Sequence, residues 1–270
     1  MPHISKLMML FFAAVICFEG QKPLGRSIGD EPTLRVLENK AFKRGEVLKY
    51  RIHYGFIDAG EAIIQVTDEE KMVDGRKTFH AVGIGYSKGS FDWFFKVRDK
   101  YETYIDEQAM VPWLFIRRVN EGGYTINQDY KFNQYKKTVD ANGTNYNTPE
   151  YVQDMISSFY FARNMDFSTA KKGDIFTISS FVDKEMFDLK IKFAGRDLVK
   201  TEFGRIKCLK FHPVVQKGRI FKTEDDLNVW ITDDNNHIPV RAEAKILFGA
   251  LFMDLIQYAN VATPFVIEKK

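Results

Sequence analysis

The stretch KRGEVLKYRIHYGFIDAGEAIIQV, Lys43 to Val66, decides how this chain is built. Val47, Tyr50, Ile52 and Tyr54 lead up to Gly55, and Ala62, Ile64 and Val66 follow Gly60. Apolar residues at every second position put one face of a strand on a core and the other in solvent, so two short strands joined by a turn are expected. The alternation returns at Phe79 to Ile84, Tyr101 to Ile105, Leu114 to Val119, Tyr124 to Phe132, Ile175 to Phe181, Phe187 to Phe193, Ile206 to Phe211, Leu227 to Thr232 and Val240 to Leu247. These runs are β-branched and aromatic and are bounded by Gly, Asp and Asn. The expected fold class is all-β: two similar antiparallel units forming a curved or barrel-like sheet, with one amphipathic helix at the junction.

The two units are read from an internal repeat. KKGDIFTI (Lys171 to Ile178) matches KRGEVLKY (Lys43 to Tyr50) with a basic residue, a glycine and a carboxylate ahead of a strand. Gly75-Arg76 comes thirty residues after Gly45, and Gly204-Arg205 thirty-one after Gly173. Lys88-Gly89 then matches Lys217-Gly218, YETYIDEQAMVPW matches LNVWITDDNNHIPV, and Gly122 and Gly249 each lie ten residues beyond a proline, Pro112 and Pro239. The shared order and spacing predict a first β repeat over 42–140 and a second over 171–262. Between them, TPEYVQDMISSFYFARNMD offers Thr148 as N-cap, Pro149 at the first helical position and Val152, Met155, Ile156, Phe159 and Tyr160 at helical spacing. A helix over Pro149 to Asn164, within a linking element 148–165, is expected.

At the N-terminus, a lysine at position 6 precedes the twelve-residue apolar run Leu7 to Phe18. That run is too short for a bilayer, which needs about 20 apolar residues. It is read as a signal peptide over 1–20, followed by a tether over 21–41, with the mature chain starting between Phe18 and Pro23. A lipid anchor on Cys17 is not expected, because bulky Ile16 stands where a small residue is needed. After cleavage Cys208 is the remaining cysteine, so no internal disulfide is available, and its place in RIKCLKFH reads as a small buried apolar residue. The 270 residues are 45% hydrophobic and 14% aromatic, enough for a large packed core. A net charge of +3 with interspersed signs argues against a nucleic-acid partner.

The sequence offers little catalytic chemistry. There is no glycine-rich phosphate loop, H-E-x-x-H, G-x-S-x-G or CxxC, and His53, His80, His212 and His237 are scattered. No catalytic residue, metal or cofactor is assigned. DDNNH (Asp233 to His237) reads as a turn: counted as a calcium loop, its sixth position is Ile238 and its twelfth Ala244, where glycine and glutamate are needed. Asp58 and Glu61 likewise read as solvated turn acids. SFDWFFKVRDKY sets Phe91, Trp93, Phe94 and Phe95 beside Lys96, Arg98 and Lys100. This suits a membrane-interface rim or the mouth of an apolar pocket, although filling the sheet core is the plainer reading. The candidate ligand contacts are Trp93, Phe94, Phe95 and Arg98, with Tyr160 and Arg163 on the helix.

FKRGEVLKYRIHYG (Phe42 to Gly55), IDAGEA (Ile57 to Ala62), the helix with Asp154, Ser157, Tyr160 and Arg163, and VWITDD with its later PV together resemble the exported bacterial family known as domain of unknown function 3108. The resemblance runs from about Ala41 to Ile256. It implies a β-rich fold in a Gram-negative periplasm or envelope and transfers no catalytic residue. The leading expectation is a non-enzymatic envelope protein without a transmembrane span in its mature chain, holding a lipid, an acyl chain or a hydrophobic envelope partner. The alternatives are a structural or interaction protein with a filled core, and a hydrolase.

Overall fold

The structure, a computed structural model, describes residues 33–214, 226–245, 249–264 and 266–268. The apolar leader with Cys17, the tether up to residue 32, the Lys217-Gly218 landmark and residues 246–248 lie outside the described residues. Fourteen strands follow in chain order: β1 (Val47–Tyr54), β2 (Ile57–Val73), β3 (Arg76–Ser87), β4 (Val97–Asp106), β5 (Pro112–Glu121), β6 (Tyr124–Asn133), β7 (Thr138–Ala141), β8 (Thr144–Asn147), β9 (Ile175–Val182), β10 (Glu185–Thr201), β11 (Gly204–Pro213), β12 (Leu227–Thr232), β13 (Pro239–Lys245) and β14 (Ala250–Ala259). Among the described residues two helices interrupt them, α1 (Gly89–Phe94) and α2 (Met155–Arg163). All strands belong to one antiparallel sheet in the order β8-β7-β6-β5-β4-β3-β2-β1-β14-β13-β12-β11-β10-β9.

The opening stretch shows how the sheet makes a core. Leu48, Tyr50 and Ile52 on β1 and Ala62, Ile64 and Val66 on β2 are buried, with Leu48 opposite Ile64 and Tyr50 opposite Ala62. Leu48, not Val47, is the first inward residue. The sheet curls until its two edges, β8 and β9, come within side-chain reach: the rings of Tyr146 and Phe181 are 5.3 Å apart. Arg117 on β5 reaches Asp183 in the β9–β10 turn at 2.7 Å. Gln153 runs beside β9, donating its N–H to Ser179 O at 2.9 Å and accepting from Phe181 N–H at 2.8 Å. An edge that would otherwise be open is thus covered by the chain's own linker.

Gly45 has φ +76° and donates to Val66 O at 2.8 Å; Gly173 has φ +102° and donates to Phe193 O at 2.8 Å. Asp106 N–H donates to Val111 O at 2.8 Å, and Thr232 N–H to Ile238 O at 2.9 Å. Met110 and His237, each two residues before a strand-starting proline, have φ of 53° and 45°.

Helix α2 starts at Met155, later than the expected Pro149. Gln153 is held in an extended pairing with β9, and Tyr151 adopts φ 59°, so the helix cannot begin before Asp154. Asp154 caps it: its Oδ1 accepts from Ile156 N–H and Ser157 N–H at 2.8 Å each, while Ser157 Oγ accepts from Asp154 N–H. This reciprocal bonding satisfies donors that a helix start leaves unpaired. The helix packs on β3, β4 and β9. Ile156 lies over Gly83, where a Cβ would stand only 3.1 Å from Ile156 Cδ1, so a larger residue there would require the Ile156 side chain to give way.

Candidate functional site

The concave face of β10 to β14 does not close completely on α2. A cavity of about 160 Å³ remains, walled by Met155, Phe159 and Ala162 of the helix, by Phe167 after it, and by Leu189, Ile191, Phe211, Leu227, Val229, Ile231, Ala242 and Met253 from the strands. Its wall is apolar except for Ser158, Arg163 and His237. The volume resembles the roughly 150 Å³ apolar cavity that stays dry and admits benzene, and falls short of the 300 Å³ or more typical of drug-sized pockets. A ring or about six carbons of chain fits; a whole phospholipid does not.

Arg163 anchors one end. Its side chain is 2% exposed and donates to both carboxylate oxygens of fully buried Glu46, at 2.6 and 2.8 Å, to Asn236 O at 2.9 Å and to Ala41 O at 2.8 Å. One guanidinium therefore ties together the segment before β1, the helix and the β12–β13 turn. Its pKa is raised: burial opposes the charge, but Glu46 outweighs it. Tyr160 is fully buried beside this pair, its ring tilted against Phe42 with centroids 4.5 Å apart, and burial pushes its hydroxyl well above the ordinary tyrosine range. At the other end of the helix, burial pushes the Asp154 carboxyl up to about 6 despite its hydrogen bonds from Thr103 Oγ1 at 2.5 Å and from the Ile156 and Ser157 N–H groups.

The six residues singled out in the sequence do not form one site. Arg163 lines the cavity, and Tyr160 packs behind it. Trp93 and Phe94 lie on α1, elsewhere on the sheet, and are 81% and 76% exposed, which overturns the reading that these rings fill the core. Phe95 sits over Gly122, and Arg98 pairs with Asp92 at 2.7 Å. The run FDWFF alternates poorly and folds as a short helix because Lys88 N–H and Ser87 Oγ are used to turn the chain: Lys88 donates to Ala59 O at 3.0 Å and Ser87 to Asp92 Oδ1 at 2.5 Å.

Other groups have structural partners. Asp58 pairs with Arg51 at 2.5 Å, whereas Glu61 is buried among Lys88, Lys49 and Tyr86 rather than solvated. Cys208 is buried, and desolvation pushes its thiol up to about 12, which removes thiolate nucleophilicity at neutral pH. Asp234 accepts from Thr232 Oγ1 at 2.6 Å and Asn236 N–H at 2.9 Å, closing the β12–β13 turn. His53 bonds Asp254 at 3.0 Å, and His80 lies between Glu69 and Glu102 at 2.9 and 3.0 Å; neither histidine lines the cavity. Ser158, Phe167 and His237, which do, were not singled out as ligand contacts in the sequence, because they are brought together only by the curling of the sheet.

A sequence profile of the family described as "Protein of unknown function (DUF3108)" matches residues 49–256. No curated protein matches the chain. Among solved structures, a β-barrel-like protein of the domain of unknown function DUF1849 from Brucella abortus is similar at a TM-score of 0.52 and 8% identity, covering 84% of this chain and 99% of that one. That likeness concerns the fold. A protein from Parabacteroides distasonis described as a lipoprotein (TM-score 0.37, 14% identity, 84% and 100% covered) and one from Bacteroides fragilis described as exported, with a YmcC-like fold (0.31, 11%, 84% and 100%), are more distant in shape. Among the described residues no helix is long and apolar enough to cross a membrane.

Proposed function

The chain belongs to the DUF3108 family, and on that premise we propose that it is an exported, non-enzymatic envelope protein that holds a small apolar ligand between α2 and the β10 to β14 face. The observation that carries this reading is the cavity of about 160 Å³ with its apolar wall. Leu7 to Phe18 supports export. A linear alcohol series from propanol to octanol tests it. Each methylene that enters the cavity contributes about 0.8 kcal/mol, so affinity is expected to rise about fourfold per carbon and level off near six carbons. Ala242→Phe, which places a ring in the space, is expected to abolish the series. Uniformly weak binding with no chain-length step would refute a ligand site.

A second reading, a bilayer-facing edge, is favoured by the exposure of the rings on α1. Phe56, in the β1–β2 turn, is 91% exposed and belongs to the same end of the sheet as Trp93 and Phe94, with exposed Lys96 beside them. Aromatic side chains next to cations fit the interfacial layer of an anionic membrane. The double variant Trp93→Ala/Phe94→Ala is expected to lose sedimentation with phosphatidylglycerol vesicles while its stability stays within about 0.5 kcal/mol of the parent, as for other exposed sites. Stability loss without any vesicle binding in the parent would eliminate this edge as a membrane contact.

The matched hydrogen bonds of Gly45 with Gly173 and of Asp106 with Thr232 also support descent of β1 to β6 and β9 to β14 from one duplicated unit. Each run is a meander of six sequential strands, and β1 joins them by pairing with β14.

A further inference from the structure

The polar part of the cavity wall narrows the ligand further, given that the cavity is a ligand site. Three lining side chains are polar: Ser158, Arg163 and His237. Ser158 Oγ is engaged with Ser180 Oγ at 2.7 Å. Arg163 makes four hydrogen bonds, to Asn236 O through Nε, to Glu46 through Nη1 and Nη2 and to Ala41 O through Nη2, and Glu46 balances its charge. His237 differs. Its Nδ1 lies 2.7 Å from the backbone oxygen of Arg163, and a carbonyl oxygen only accepts, so Nδ1 must carry the proton. In the neutral ring Nε2 then holds a lone pair. Burial lowers the His237 pKa, which favours that neutral form.

We infer that the cavity selects an apolar molecule bearing one hydroxyl, an alcohol or a phenol, whose O–H donates to His237 Nε2. A plain hydrocarbon offers Nε2 no donor. A carboxylate sets acceptor against acceptor and loses its hydration as well. A hydroxyl satisfies the nitrogen, while the ring or chain takes the apolar space. The site on His237 is held rigidly: Phe167 packs edge-on against the imidazole at 5.1 Å, and the turn that carries it is bonded through Asn236 to Thr263 on both sides, at 3.0 and 2.9 Å.

Phenol and toluene, nearly equal in shape, separate hydrogen bonding from filling. The protein carrying ¹³C-methyl methionine and ¹⁵N-histidine would be titrated with each. Both probes are expected to shift the methyl signals of Met155 and Met253, which line the cavity, while phenol alone shifts the His237 Nε2 signal. His237→Phe is expected to lower the phenol-to-toluene affinity ratio about tenfold, the worth of one hydrogen bond. If that variant does not fold, the nitrogen signal of the parent decides. Phenol and toluene moving both methyls with the same, unshifted Nε2 would overturn the hydroxyl preference and leave the apolar site standing. A proton found on Nε2 in the free protein would also overturn it. Methyl signals that neither probe moves would remove the ligand site itself, and the hydroxyl preference with it.

Discussion

Arg163→Met is expected to lower the unfolding free energy by about 3–5 kcal/mol, because it leaves the Glu46 carboxylate buried with no counter-charge. Glu46 is 0% exposed and has both oxygens on Arg163. Ala41 O and Asn236 O lose their donor at the same time. The double variant Arg163→Met/Glu46→Leu removes both charges and is expected to recover most of the loss, since an apolar replacement of a buried pair is often near neutral. Urea denaturation of the three proteins measures this. A single variant within about 1 kcal/mol of the parent would show that the guanidinium does not pin the helix to the segment before β1 and to the β12–β13 turn.

Asp106→Ala follows with about 3–4 kcal/mol, for a different reason. The carboxylate accepts from Arg76 Nε and Nη2 at 2.6 and 2.8 Å, from Trp113 Nε1 at 3.0 Å, and from Gln108 and Ala109 N–H at 2.9 and 2.8 Å. Alanine strands buried donors, each costing about 1–3 kcal/mol, offset in part where Arg76 regains water. The cost should depend on pH. Burial works against the Asp106 charge, but Arg76 and the other donors hold its pKa below the ordinary value of 3.8. A carboxylate depressed by folding stabilises above its unfolded pKa, and that contribution is lost as pH falls through the folded one. The gap between parent and variant is therefore full at neutral pH and shrinks below about pH 4. An unchanged gap at acid pH would mean that the charge of Asp106 is not what the surrounding donors recognise.

Period-two alternation is strong wherever one face of a strand meets the core, which is why Ala62, Ile64 and Val66 were legible as an inward row. Turn landmarks such as Gly45 and Gly173 were legible because their backbone needs a positive φ that other side chains resist. The hairpin of β7 and β8 was overlooked, although Asn142-Gly143 between two short polar strands is a strong turn signal; their φ of 54° and 87° are those of a two-residue hairpin loop. Thr148 and Pro149 imitate a helix start, but the pairing of Gln153 with β9 outweighs that local preference by satisfying backbone groups on an exposed edge. The cavity was illegible for a simpler reason. Its wall combines Phe159 with Leu189, Val229, Ala242 and Met253, residues that only the rolled sheet brings together.

Native mass spectrometry of the protein isolated from the envelope of its own cells tests the ligand site most directly. The parent is predicted to carry a small hydroxylated apolar molecule and the Ala242→Phe variant to carry none. A parent free of any adduct, or equal adducts on parent and variant, would contradict a ligand site between α2 and the β10 to β14 face.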